Sequence, residues 1–223
     1  HLTAKRTGEK KETFARWAKV ISWRANGDGI GSAHDVEDCF LRCADDCSYI
    51  KGDRKRCVFW KDVNAAVFHM AGIPENVPIV IEDCDVIYLR HKAPETGCGG
   101  VFVQRGSGPK GSKKVNVIAR NIRIEDKFPS CAIFSMFSEG DTGYGKAKFK
   151  EKNQIGSSFS GITFQNITAA AESCLGRSNI LAGSEEAPWN GGITFENVVI
   201  AGKKLTSLKT FTTNEYVSGI TFK

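Results

Sequence analysis

The chain has 223 residues, 41% of them hydrophobic and 25% charged, which supports one substantial core and excludes an intrinsically disordered chain. No stretch is apolar for long enough to cross a bilayer as a helix. Lysine and arginine number 31 against 25 acidic residues, a net charge of +6; it is dispersed, and no helix-turn-helix, finger or aromatic-studded basic motif accompanies it, so neither nucleic acid nor a membrane is expected as a partner.

The chain opens His1-Leu2-Thr3-Ala4, without methionine or an apolar signal region, and reads as a piece of a longer polypeptide. Residues 1–13 are a basic, polar lead-in, in which Thr13 could cap a helix. In the run from Phe14 to Trp23 the β-branched and aromatic content of the second half favours a strand. Cys39, Cys43 and Cys47 then recur at every fourth position among eight cysteines. Structural zinc sites usually come as C-x2-C pairs, so these read as buried thiols or as disulfides of a secreted protein. Spacing does not reveal their pairing, and no metal or cofactor is expected.

A repeat follows. Val58-Phe59-Trp60-Lys61-Asp62-Val63 returns as Ile79-Val80-Ile81-Glu82-Asp83-Cys84 and Val117-Ile118-Ala119-Arg120-Asn121-Ile122. It returns again as Ile162-Thr163-Phe164-Gln165-Asn166-Ile167 and Ile193-Thr194-Phe195-Glu196-Asn197-Val198, with a weaker copy ending Val36-Glu37-Asp38-Cys39. Short strands with an Asn or Asp at positions 38, 62, 83, 121, 166 and 197 predict a solenoid of parallel strands, a parallel β-helix, with these residues at sharp corners. The rival is an antiparallel sandwich, but hairpin signals are sparse. Glycine-rich residues 90–113 and polar residues 138–158 read as inserted loops that wall a groove. Gly219-Ile220-Thr221-Phe222 begins another copy that stops before its corner, which predicts a solenoid cut at both ends, residues 1–223 being part of one domain.

Asp28 sits in a glycine turn, and the pair Asp45-Asp46 lies 17 and 18 residues later, about one repeat. Stacked strands about 4.8 Å apart would bring the three onto one face. Successive strand residues point to opposite sides, so both members of the pair can face a cleft only at a bend or bulge. Crowded carboxylates push at least one pKa up, which leaves an acid beside bases as glycoside hydrolysis requires. A calcium site and a purely structural corner are the competing readings of the same residues.

Asn26-Gly27-Asp28-Gly29-Ile30 and Asp45-Asp46-Cys47-Ser48-Tyr49-Ile50-Lys51-Gly52 resemble the N-T-D-G-I and D-D-C-I-A-I-K-S-G motifs of the family 28 polygalacturonases. The wider chain is more similar to glycoside hydrolase family 49, the dextranases and isopullulanases of the same clan. Trp23, the run from His34 to Phe40, Val58-Phe59-Trp60-Lys61, the run from Asn64 to Phe68, Asp85 to Lys92, Trp189 to Gly192 and Val199 to Lys204 carry that similarity. The resemblance implies a right-handed β-helix and an inverting, endo-acting hydrolase of an α-glucan such as dextran or pullulan. It also implies an extracellular monomer whose partner is the polysaccharide. By the motifs Asp45 matches the general acid, and Asp28 and Asp46 match the residues that activate water. Lys51 matches the motif's lysine, a candidate substrate contact.

The chain departs from the polygalacturonases at two places. It reads Asn64-Ala65-Ala66 where G-H-G is expected, and Arg90-His91-Lys92 is only a loose counterpart of the uronate-gripping R-I-K. Arg90 and Lys92 remain candidate substrate contacts, and both departures point to a neutral glucan. The interval from Asp28 to the pair is slightly shorter than in family 49. A hydrolase or calcium-dependent lyase acting on an acidic glycan, and a non-catalytic polysaccharide-binding solenoid, are the alternatives. His69 reads as a core histidine and Trp60 as core, while Trp17, Trp23 and Trp189 are candidates for a sugar-stacking platform. Asn166-Ile167-Thr168 fits a glycosylation acceptor, but Asn166 reads first as a corner.

Overall fold

The computed structural model describes residues 27–62, 65–90, 99–104, 111–127, 129, 131–138, 157–170 and 179–223. Within them the chain forms β1 (Val36–Glu37), β2 (Phe40–Cys43), β3 (Ser48–Tyr49), β4 (Arg54–Lys55), β5 (Val58–Lys61), β6 (Ala66–His69), β7 (Pro78–Glu82), β8 (Asp85–Leu89), β9 (Gly100–Gln104) and β10 (Gly111–Ile124). It continues with β11 (Ala132–Phe137), β12 (Ser157–Ala169), β13 (Asn179–Ala182), β14 (Trp189–Asn190), β15 (Ile193–Glu196), β16 (Val199–Ile200), β17 (Lys203–Lys204), β18 (Phe211–Thr212), β19 (Val217–Ser218) and β20 (Thr221–Phe222). Phe14 to Trp23 lies outside the described residues.

The fold is all-β and its sheets are parallel. A twelve-stranded sheet runs β1-β4-β7-β10-β12-β15-β20, with β2, β5 and β8 joined to it through β10, and a six-stranded sheet runs β18-β13-β11-β9-β6-β3. The chain alternates between the two, so strands adjacent in one sheet are separated in sequence by strands of the other. Among the described pairs only β16 with β17 is antiparallel, across Ala201-Gly202.

Register places like on like. Ile79, Val117, Ile162 and Ile193 stand opposite one another, as do Ile81, Ala119, Phe164, Phe195 and Phe222. Phe68, Phe102 and Phe134 form the matching column of the six-stranded sheet, their rings 5.2 and 5.5 Å apart. The two columns meet edge to face, Phe102 on Phe164 at 4.9 Å and Phe134 on Phe195 at 5.2 Å. Each buried ring contributes roughly 1.5–3 kcal/mol, and stacking against neighbouring strands is the way such a column leaves water.

Six corner residues carry a left-handed backbone, with φ between 49° and 55°: Asp38, Arg56, Asp83 and Asn197 directly after β1, β4, β7 and β15, and Asn121 and Asn166 within β10 and β12. Five of the six corners fall where the repeat places them. Asp62 does not turn the chain; Arg56 does. The reason is that β5 has the same apolar alternation as the corner strands but pairs with β2 and β8, so the pattern marks a strand without saying which one. The supposed loop 90–113 likewise contains β9, whose Gly-Val-Phe-Val-Gln is buried throughout. Residues 91–98, 105–110 and 139–156 lie outside the described residues.

Candidate active site

β2 ends at Cys43, and a bend over Ala44 and Asp45 leads to β3. The stretch from Gly27 to Ile30 runs alongside this bend as a strand would. Asp45 N donates to Gly27 O (3.3 Å), Gly29 N to Asp46 O (2.8 Å), Ile30 N to Cys47 O (2.9 Å) and Tyr49 N to Ile30 O (2.8 Å). The approach is so close that a Cβ on Gly29 would lie 2.2 Å from Cys47 O, so only glycine fits. That backbone ladder sets Asp28 beside Asp45 and Asp46, and one oxygen from each of the three lies within 4.8 Å of the others. The spacing of one repeat and the bend at the pair thus bring together the three aspartates singled out in the sequence.

Their surroundings differ. Asp45 and Asp46 are buried and Asp28 is exposed. Asp46 Oδ1 accepts Ala66 N at 2.9 Å, and Oδ2 accepts the Tyr49 hydroxyl at 3.3 Å and lies 3.0 Å from His69 Nδ1. The histidine contact is not aligned as a straight hydrogen bond, so it acts chiefly as charge on charge when His69 is protonated. Asp45 Oδ1 accepts the Asp46 N–H at 3.0 Å. The Asp28 carboxyl is pushed above the ordinary aspartate range, first by partial burial and then by the negative charges of Asp46 and Asp45.

His69 is the residue that the sequence undervalues. It is buried, as expected of a core histidine, but it lies opposite Tyr49 in the β3–β6 register and tilts against that ring at 4.7 Å. Its position 23 residues after Asp46, about one repeat, is the only signal that could have found it. Ala65, just before β6, holds φ at 57°, a left-handed conformation uncommon for alanine, and its neighbour Ala66 supplies the N–H bonded to Asp46.

Among the candidate substrate contacts, Lys51 is half-buried with its ammonium 5.6 Å from the centre of the Tyr49 ring, so it joins the cluster through that side chain. Arg90 is engaged within the protein. Its guanidinium pairs with Asp126, donates to Leu89 O at 2.9 Å and lies 4.2 Å over Tyr88. Lys92 lies outside the described residues. Arg54, fully buried, donates to Ser48 Oγ, His34 O and Tyr49 O and so ties the turn after Ile30 to the strand after the aspartates.

Trp60 is half-buried rather than core. It stacks on Tyr88 at 4.6 Å in a column capped by Arg42 and Arg90, because β5 turns that side chain outward. Trp189 is fully buried with its Nε1 on Ala182 O, which removes it as a sugar platform; Trp17 and Trp23 lie outside the described residues. The three aspartates are also the one group of metal-ligating side chains that converges among the described residues. Comparison of the chain with protein-family models, curated proteins and solved structures found no match.

Proposed function

We propose that the chain is a right-handed parallel β-helix whose Asp28, Asp45 and Asp46 hydrolyse the glycosidic bonds of a neutral α-glucan with inversion. The convergence of three carboxylates, one of them held by Tyr49, His69 and a backbone N–H, carries the reading. It agrees with the resemblance to glycoside hydrolase family 49. The alternation of the chain between two parallel sheets, with one left-handed corner per strand segment, supports the solenoid.

In this reading Asp45 gives its proton to the leaving oxygen. Asp46, which accepts hydrogen bonds from Ala66 N and Tyr49 and lies beside His69, draws the proton from a water that attacks the anomeric carbon, and Asp28 shares in holding that water. Water supplies the hydroxyl of the new reducing end, and the proton it loses replaces the one given to the leaving group. The engagement of Arg90 with Asp126 favours a neutral sugar, since a uronate clamp needs a cation with free donors. Lys51 contacts a substrate hydroxyl. The enzyme works outside the cell, as a monomer, on polysaccharide; no described helix is long and apolar enough to cross a membrane.

A second reading follows from one distance. Oxygens within 4.8 Å of one another could share a single calcium ion, whose ligands lie at about 2.3–2.6 Å, as in a calcium-dependent lyase on an acidic glycan.

The test is reducing-end release from dextran, pullulan and polygalacturonate by the parent and by Asp45→Asn. Activity on a glucan, unaffected by EDTA and lowered at least about a hundredfold in the variant, is expected. An aryl glycoside with a good leaving group should restore Asp45→Asn and leave Asp46→Asn inactive. Restoration of Asp28→Asn instead would transfer the acid role to Asp28. Activity lost to EDTA would select the lyase, and binding without cleavage would select a non-catalytic solenoid.

A further inference from the structure

The outward face of β2, β5 and β8 carries aromatic surface that the aspartates do not use. Arg42 stands opposite Trp60 across β2 and β5, and Trp60 opposite Tyr88 across β5 and β8. The second pairing depends on a bulge. Val58 and Phe59 face Asp85 and Val86, but Trp60 faces Tyr88, so Ile87 is passed over. Bulges re-aim side chains, and this one sets the Tyr88 ring 4.6 Å from that of Trp60, with 24° between their planes. A regular register would have put Ile87 there. Phe40, two residues before Arg42 and so on the same face of β2, is 61% exposed. Polar groups rim this surface. Asp62 accepts Trp60 Nε1 at 2.6 Å and Arg42 Nε at 2.9 Å, and the Tyr88 hydroxyl has no hydrogen-bond partner among the described residues. Arg42 lies 5.4 Å over Trp60, and the exposed ion pair that holds it there is weak enough for a sugar ring to displace.

From this arrangement we infer that Phe40, Trp60 and Tyr88 form a sugar-binding subsite beside the aspartates, which holds a neutral glycan chain. Apolar faces of the sugar rings lie on the aromatic surface, and ring hydroxyls reach Asp62, Arg42 and Tyr88 Oη. Charge selects the ligand. Arg42 is balanced by Asp62 and Arg90 by Asp126, so no cation is left over to hold an anionic sugar. Position selects it as well. Asp62 N donates to Cys43 O at 2.9 Å, which fixes the end of β5 against the start of the aspartate bend. Arg42 precedes Asp45 by three residues, at most about 11 Å of extended chain. One glycan chain can therefore lie on the aromatic surface and reach the carboxylates. Its service to catalysis rests on the hydrolase reading, while the binding of glycan does not.

Two measurements on the whole chain test this. In the first, the parent is labelled with hydroxyl radicals, with and without dextran or pullulan, and digested with trypsin. Cuts after Arg56 and Lys61 release residues 57–61, in which Trp60 is the sole tryptophan. Bound glucan should lower oxygen uptake at Trp60 relative to Phe222, at the opposite edge of the twelve-stranded sheet, a ratio that corrects for radicals consumed by the sugar. In the second, electrophoresis through gels containing each glucan gives dissociation constants. Trp60→Ala should bind at least about tenfold more weakly than the parent, and Trp60→Phe, which keeps a ring, should recover most of the loss. Should Trp60→Ala fail to fold, labelling of the parent still decides. A parent that binds no glucan, Trp60 labelling unchanged by bound glucan, or equal losses in the two variants would overturn the subsite. Binding of polygalacturonate in place of glucan would overturn the neutral ligand. Glucan cleavage with Trp60 unprotected keeps the hydrolase and removes the subsite. Protection of Trp60 without cleavage of any glycan keeps the subsite and removes the hydrolase.

Discussion

Asp28 illustrates how a site works against the fold that holds it. Its carboxyl is pushed up by partial burial and by Asp46 and Asp45, so the folded protein holds that proton more tightly than the unfolded chain does. The stability gained from the tighter hold is complete below the unfolded value near 3.8 and disappears as pH rises through the folded value. Asp28→Asn removes this penalty, so the variant is expected to melt above the parent at neutral pH, with the gap closing by about pH 3. Calorimetry at the two pH values checks it; equal melting temperatures at neutral pH would refute the repulsion. Ala65 is a second case. Its left-handed backbone costs an alanine roughly 1–2 kcal/mol, and glycine adopts it freely, so Ala65→Gly is expected to gain about 1 kcal/mol in urea unfolding if the backbone stays in place. A loss of stability would mean that the alanine methyl packs better than the strain hurts.

Corners are where the elements are held to one another. Asn121 Nδ2 donates to Asp83 Oδ1 at 2.9 Å, Asn166 Nδ2 to Asn121 Oδ1 at 3.1 Å, and Asn197 Nδ2 to Asn166 Oδ1 at 2.8 Å. The amide of Asn166 is thus occupied on both sides, which fits its reading as a corner rather than a glycan acceptor. Alanine at 166 would lose both bonds and also meet the left-handed penalty, whereas glycine would lose only the bonds. Asn166→Ala should therefore destabilise by about 2 kcal/mol and Asn166→Gly by about 1 kcal/mol, as read from denaturant midpoints. Equal losses would show that the backbone, rather than the amide ladder, is indifferent at this corner.

Seen across the molecule, the two sheets set the spacing of the aspartates, and that spacing bears on stereochemistry. Inverting enzymes commonly separate their carboxyl groups by about 6.5–9.5 Å and retaining ones by about 5–5.5 Å. One oxygen from each of the three carboxyls lies within 4.8 Å of the others, which is nearer the retaining range than the inverting one. Proton NMR of the first product decides: inversion predicts a β-configured reducing end from an α-glucan, and an α-configured one would reassign an aspartate as nucleophile.

The sequence by itself determined the parallel all-β character, five of the six corners and the identity of the three aspartates. Each of these follows from local chemistry: apolar alternation, the tolerance of Asn and Asp for a left-handed backbone, and a glycine turn one repeat before a carboxylate pair. It could not determine that Arg56 rather than Asp62 turns the chain, because two strands of each repeat share one alternation and only pairing separates them. Nor could it find His69, which looks like any apolar-flanked core residue until β3 and β6 align. Arg90 was visible as a cation, but its partner Asp126 is 36 residues away and only tertiary contact shows the charge to be engaged. Strand formation is encoded within a few residues; which side chains meet depends on register between strands tens of residues apart.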